Sequence, residues 1–174
     1  MKIHLRVCGP GDEDALALIG RATFLDAFAG VLTREDILLH CATQHAPELY
    51  KGWLADARAR SWLAEVEPGN APVGYLVVAP ASLPLPDLRQ DDVEVKRIYL
   101  LHRFQGSGVG ARLMKEAVTF ATLAGSRRLL LGVYGGNERA IGFYERFGFA
   151  RVGTRRFRVG HNDYDDLILG LDFV

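Results

Sequence analysis

Gln105-Gly106-Ser107-Gly108-Val109-Gly110 sets three glycines within five residues, between a run that reads as a strand and one that reads as a helix. Glycines there let the backbone approach an anion closely, and the free N–H groups of a helix start point at it. A phosphate-bearing ligand is the chemistry such a loop serves. The bland alternative is a tight turn with no ligand, although three glycines exceed what a turn needs. Gly106, Gly108 and Ala111 formally satisfy G-x-G-x-x-G/A. A dinucleotide fold, however, sets its glycines directly after the strand and needs an acid near the end of the next one. Here His102 to Gln105 intervene, and the next strand ends Gly132-Val133-Tyr134. A nucleoside-triphosphate loop would need a following Gly-Lys-Ser/Thr, and nucleophilic hydrolysis a G-x-S-x-G elbow. Neither is present.

The elements that must position this loop are legible from periodicity. Ile3–Val7 alternates as a strand. Helical spacing of Ala15, Leu18, Ile19, Ala22, Leu25 and Ala29 follows, with acidic Asp12, Glu13 and Asp14 at its start. A second helical region spans about Arg34 to Arg60 and breaks near Pro47. Ser61–Val66 and Val73–Ala79 read as a hairpin turned at Pro68-Gly69-Asn70-Ala71-Pro72. Pro80 to Asp92 reads as a long loop. Val93–Leu101 is a strand, Val109–Ala124 a helix stopped by Gly125, and Leu129–Val133 a buried strand. Asn137 is placed to cap a helix through Phe147, and Ala150–Arg158 and Tyr164–Asp172 close the chain as strands. The expectation is one mixed α/β domain over residues 1–174, built on a single sheet.

Composition narrows the class. The chain carries 21 Lys plus Arg against 21 Asp plus Glu, and hydrophobic residues make up 49%, an ordinary globular balance. Zero net charge argues against a nucleic-acid coat or docking on anionic membrane. No apolar run is long enough for a membrane span, and the first residues lack an apolar core of signal-peptide length, so a cytoplasmic location is expected. Cys8 and Cys41 form no CxxC pair, and the five histidines show no ligand spacing, so no metal is expected.

Gln105-Gly106-Ser107-Gly108-Val109-Gly110 read as Q-x-x-G-x-G resembles the acyl-CoA pyrophosphate loop of the GCN5-related N-acetyltransferase (GNAT) superfamily. The segment Asn137 to Phe149 is similar to that family's N-x-x-A-x-x-F-Y-x-x-x-G-F motif, in the same order along the chain. The resemblance implies a GNAT fold: a single mixed, mostly antiparallel central sheet with a splayed strand pair, flanked by helices. Glu94 to Leu100, Ala22-Thr23-Phe24 with Phe28, and Asp166 to Leu169 look more narrowly like the PaiA-type polyamine acetyltransferases.

What the resemblance implies for the site is specific. The backbone of Ile98, Tyr99 and Leu100 would pair with the pantetheine arm, with the Leu100 amide polarising the thioester carbonyl. Gly106, Ser107, Gly108, Val109, Gly110 and Ala111 would wrap the pyrophosphate, and Gln105 would brace the loop or contact phosphate. Tyr144 resembles the family's acid for the departing thiolate; otherwise it is a buried aromatic beside Phe143 and Phe147. Asn137 would bond the pantetheine amide, cap its helix, or do both. Glu94, placed by period-two alternation on the strand face of Ile98 and Leu100, is the expected base, with Asp92 on that face in reserve. The alternative for Glu94 is a solvated charge at a strand start. Phe24, Phe28, Tyr75 and Tyr99 are candidate walls of the acceptor pocket, or else core.

The expected activity is direct acetyl transfer from acetyl-CoA to a primary amine of a small molecule, a polyamine being one candidate, with no acyl-enzyme because neither cysteine lies near a motif. Protein or peptide N-acetylation and a non-catalytic CoA sensor are the alternatives, and the protein is expected to be a monomer or homodimer. Charge is unevenly distributed: residues 1–95 carry 8 basic and 14 acidic side chains, residues 96–158 carry 13 and 3, and the remainder none and 4. The basic block holds both motifs, the polarity expected where a polyanion binds.

Overall fold

The computed structural model describes residues 1–173. The chain runs β1 (Ile3–Val7), α1 (Glu13–Phe28), α2 (Arg34–Gln44), α3 (Pro47–Ala55), β2 (Arg60–Val66), β3 (Ala71–Pro80), β4 (Val93–Leu100), a 3-10 turn at His102–Phe104, α4 (Val109–Leu123), β5 (Arg128–Tyr134), α5 (Glu138–Arg146), β6 (Ala150–Val159) and β7 (Asn162–Asp172). The second helical region is two helices, parted at His45 and Ala46, because Pro47 opens a new helix at a position where its missing N–H is harmless. The strands form one seven-stranded sheet in the order β1-β2-β3-β4-β5-β7-β6. Every neighbouring pair is antiparallel except β4 with β5.

Both faces of the sheet are covered, each by the apolar stripe of a different group. On one face Leu113, Met114, Ala117 and Ala121 of α4 pack with Trp62, Leu76, Val78, Val93, Val95, Leu129 and Leu131. On the other, Leu16, Ala17 and Ile19 of α1 and Tyr50 of α3 pack on Leu63, Tyr75 and Val77. The expected long loop after β3 shares that second face: Leu83 is buried against Leu130 and Ile168.

Two expectations about β4 require correction. Its register with β3 pairs Val77 with Arg97 but Val78 with Val95, so Lys96 has no partner and forms a bulge. The extra residue inverts the alternation. Val93 and Val95 join the α4 core, and Ile98 and Leu100 pack against that same core. Glu94 therefore points to the opposite face from Ile98 and Leu100, not to the same one. Its carboxylate Oε2 accepts from Lys96 Nζ at 2.6 Å and from the Ser82 amide at 3.0 Å.

Asp92 does not reach a pocket. It is 1% exposed and lies before the first paired residues of β4 and β5. There it accepts from Arg127 Nε (3.0 Å) and Nη2 (2.9 Å), Arg128 Nη2 (3.0 Å) and the Arg89 amide (2.9 Å). Burial alone would raise its pKa, but the Arg127 fork, the Arg89 amide and Arg128 outweigh that and hold it below its ordinary value. Asp92→Asn should destabilise the protein by about 3 kcal/mol, because it strands two arginines on a lost partner. In the native chain this contribution is present above the ordinary carboxyl value of 3.8 and is lost as pH falls through the lower folded-state value. Urea unfolding of both proteins across pH 3–7 measures it; equal midpoints at neutral pH would show the cluster to be dispensable.

Candidate active site

The glycine loop is open backbone. The Leu101 amide donates to the Val73 carbonyl at 2.9 Å, and the His102 amide donates to Asp26 Oδ2 at 2.6 Å, anchoring the chain before the loop. Gly106 and Gly108 then take φ of +78° and +82°, a region costly for other residues. The Gln105 amide still donates to the His102 carbonyl at 3.0 Å; after it the next bonded amide is Arg112, which donates to the Gly108 carbonyl at 3.1 Å. From Gly106 through Ala111, no backbone N–H has a protein acceptor among the described residues. A Cβ at Gly106 or Gly108 would meet nothing within 4 Å, so no protein packing excludes a side chain there. The result is a concave row of donors at the N-terminus of a fifteen-residue helix, able to hold a pyrophosphate. Ser107 Oγ donates to the Phe104 carbonyl, and Gln105 Nε2 donates to the Leu100 carbonyl at 3.4 Å. Gln105 thus braces the loop on β4.

Beside this loop the sheet opens. β4 and β5 are paired only at Val93 with Leu129 and at Glu94 with Leu130. Beyond them, the β5-facing edge of Ile98, Tyr99 and Leu100 has no strand partner among the described residues, so an extended ligand can bond there as a strand would. Gly74 of β3 keeps Leu100 in place: a Cβ at Gly74 would overlap the Leu100 side chain and lie 2.8 Å from the Tyr99 carbonyl. Asn137 caps α5, its Oδ1 accepting from the Ala140 amide at 3.1 Å. Tyr144 of α5 is 9% exposed and packs edge-on to Phe143 and Phe149. Among the described residues no protein group bonds its hydroxyl. Burial, and after it the Tyr99 phenol, push its pKa above the ordinary value, so Tyr144 is a protonated acid at neutral pH.

The face opposite α4 supplies the second approach to the opening. Tyr99 is 40% exposed there and stacks on Tyr75, with ring centroids 6.0 Å apart. Tyr75 is fully buried and receives a 3.4 Å hydrogen bond from Tyr50, whose hydroxyl lies 2.7 Å from His45 Nδ1. Phe24 is buried and stacks on His40, and Phe28 leans on Phe24. Tyr75 and Phe24 are thus core rather than pocket lining, while Phe28 and Tyr99 keep some exposure. Burial holds His40 at about 4 and His45 at about 3, so both are neutral. Asp36 of α2 accepts from the His161 amide and the Asn162 side chain, each at 3.1 Å, tying the β6–β7 turn to this wall.

Sequence reasoning missed the bulge at Lys96, although the pattern carried its signal. Val93 and Val95 are apolar at odd positions, Ile98 and Leu100 at even ones, and the phase changes across the adjacent cations Lys96 and Arg97. It missed Gly74, whose role depends on a long-range contact, and the His45–Tyr50–Tyr75 chain for the same reason. Cys8 follows β1, at the sheet edge three strands from β4, and burial pushes its thiol up to about 12. Cys41 is likewise raised by burial. Among the described residues, no group of three or more His, Cys, Asp or Glu is placed to hold a metal, and no helix is long and apolar enough to cross a membrane.

Known proteins match this arrangement. The model of the acetyltransferase (GNAT) family matches residues 31–149. An N-acetyltransferase of Mycobacterium tuberculosis is 32% identical over 165 residues, covering 94% of this chain and 99% of that protein. The spermine/spermidine N(1)-acetyltransferase of Bacillus subtilis is 33% identical over 72 residues, 41% of this chain and 47% of that one. The crystal structure of the PaiA N-acetyltransferase of Thermoplasma acidophilum with coenzyme A superposes with a TM-score of 0.78, at 18% identity, over 99% of this chain and 100% of that one. An open strand pair beside a loop of free amides, and a family match spanning both, lead to one conclusion: the chain is an acyltransferase belonging to the GNAT family.

Proposed function

We propose that the protein transfers the acetyl group of acetyl-CoA directly to the primary amine of a small molecule. The observation that carries this reading is the row of unpaired amides from Gly106 to Ala111 beside the unpaired edge of Ile98–Leu100. The first fits a pyrophosphate, and the second an extended pantetheine arm with two amide groups. Acetyl-CoA would bring the activated thioester; the rest is the work of this chain. The Leu100 amide is the donor toward the thioester oxygen, and it strengthens as that oxygen gains charge. Asn137, whose Oδ1 is spent on the helix cap, keeps its side-chain N–H₂ free for the pantetheine.

Two proton movements remain. An alkyl ammonium must lose a proton before it attacks, and the thiolate leaves more readily if it gains one. Tyr144, protonated and without a protein partner among the described residues, is the donor to sulfur. Glu94 is the acceptor from the ammonium through water: Oε2 is engaged by Lys96 and Ser82, and Oε1 has no protein partner among the described residues. The bulge that turned Glu94 from the Leu100 side set it on the face from which an amine approaches. Burial raises both thiols, Cys8 and Cys41, and so keeps them from the thiolate form, which supports direct transfer over an acyl-enzyme.

Tyr144→Phe should lower kcat about 100-fold with CoA affinity changed less than about threefold. Unchanged turnover, followed by free-thiol release over an amine panel, would remove Tyr144 from the acid role. Glu94→Gln should lower kcat/KM about tenfold at neutral pH. That deficit should shrink as pH rises, because the amine then arrives already deprotonated; a pH-independent deficit would make Glu94 structural. Gly108→Val should weaken CoA binding about tenfold or more by calorimetry, from φ strain of about 1–2 kcal/mol and obstruction of the amide row. Wild-type affinity in that variant would place the pyrophosphate elsewhere.

A further inference from the structure

The acceptor face carries several charged groups, and their pairing is uneven. Among the described residues, six Lys and Arg residues are buried or partly buried: Arg6, Lys96, Arg97, Arg127, Arg128 and Arg155. Five have a carboxylate within 4.0 Å, namely Arg6 with Asp12 and Glu65, Lys96 with Glu94, Arg127 and Arg128 with Asp92, and Arg155 with Asp166. Arg97 has none among the described residues. Its Nη2 donates to the Gln44 carbonyl at 3.1 Å, and its guanidinium lies 5.8 Å from the Trp53 ring centre. Around it stand His40, His45, Tyr50 and Tyr75, all neutral side chains at physiological pH. A partly desolvated guanidinium with one carbonyl and one aromatic face for company keeps most of its five donors and all of its charge unspent.

The position of Arg97 gives that unspent charge a purpose. It is the first residue after the bulge, faces away from α4, and lies two residues before Tyr99 on the same face. This is the side from which an amine would reach a thioester lodged between β4 and β5. Of the carboxylates on that face, Glu94 is paired with Lys96 and Asp166 with Arg155, while neutral donors hold the other two: the His161 amide and the Asn162 side chain on buried Asp36, and the His102 amide on exposed Asp26. Each of these carboxylates has a protein donor, whereas Arg97 has no carboxylate among the described residues.

We propose that Arg97 receives an acidic group of the acceptor, so that the substrate is an amine that also bears a carboxylate rather than a polyamine. This rests on the amine-acetyltransferase reading above and names its substrate class. Arg supplies a planar fork that matches a carboxylate bidentately, and its fixed charge repels a second ammonium from the same place. Arg97 is a specificity-determining residue here; it moves no proton and touches no acetyl group.

The test compares chain-matched pairs: 4-aminobutanoate with 1,4-diaminobutane, and 5-aminopentanoate with 1,5-diaminopentane. With the native enzyme, kcat/KM should favour each aminocarboxylate at least tenfold. In Arg97→Gln the ratio should fall at least tenfold, through KM, and Arg97→Lys should recover part of it. Because the native ratio needs no variant, poor folding of Arg97→Gln leaves the test intact. Diamines preferred by the native enzyme, or a ratio unchanged in Arg97→Gln, would overturn the assignment of Arg97 while leaving amine acetylation standing. No acetylation of either series, with CoA still binding by calorimetry, would instead overturn the small-amine reading itself.

Discussion

Everything at the candidate site depends on a parallel strand pair that stays paired for only two residues. A buried sheet normally spends its backbone donors and acceptors on the neighbouring strand, and leaving them unspent is costly. Here β4 and β5 meet at Val93 and Glu94, then part. Several features keep the gap from closing. The bulge at Lys96 increases the local twist of β4, and the missing Cβ at Gly74 lets Leu100 settle against β3. β5 is meanwhile held along its whole length by β7, from Arg128 to Tyr134. Each arm of the opening is thus fixed by its outer neighbour.

The same parting relates two otherwise separate readings. Helix α4 brings its unpaired amides to the opening from one face, and Tyr99 and Arg97 border it on the other. A ligand that threads between the strands therefore presents its reactive end to side chains that never touch the phosphate loop. Glu94 belongs to this second set only because of the bulge. A strictly alternating β4 would have turned it into the α4 core, where an ionised carboxylate is costly without a partner.

Much of this is legible in the amino-acid sequence. Elements follow periodicity, and local chemistry reads well: Asn137 caps α5 as its position before an amphipathic run implies, and Gly108 opens α4 in the left-handed region. The family resemblance rested on the same local motifs. What was not legible depends on contacts across the sheet. Asp92 and Glu94 look alike in the sequence, yet the first is spent on Arg127 and Arg128, which lie 35 and 36 residues away. The sequence leaves Tyr75 as pocket wall or core; it is core, because Tyr50 and α1 close over it. The phase change from Val95 to Ile98 is present in the sequence, but unbroken alternation hides it. One residue of slip is invisible to composition and decisive for which face a side chain occupies.

The cluster of Asp92, Arg127, Arg128 and Asp87 lies at the closed end of the opening, where it behaves as a pivot pinned on both arms. Arg127 and Arg128 lead into β5, and Asp92 leads into β4. A wedge driven between the free ends would have to flex against four ionic contacts and a buried apolar core. The separation is therefore built in before any ligand arrives, and binding need not supply the work of opening it. The standing expense falls on the folded chain, which carries an unpaired strand edge at all times. Its return is a slot whose width is set by the fold rather than by its occupant.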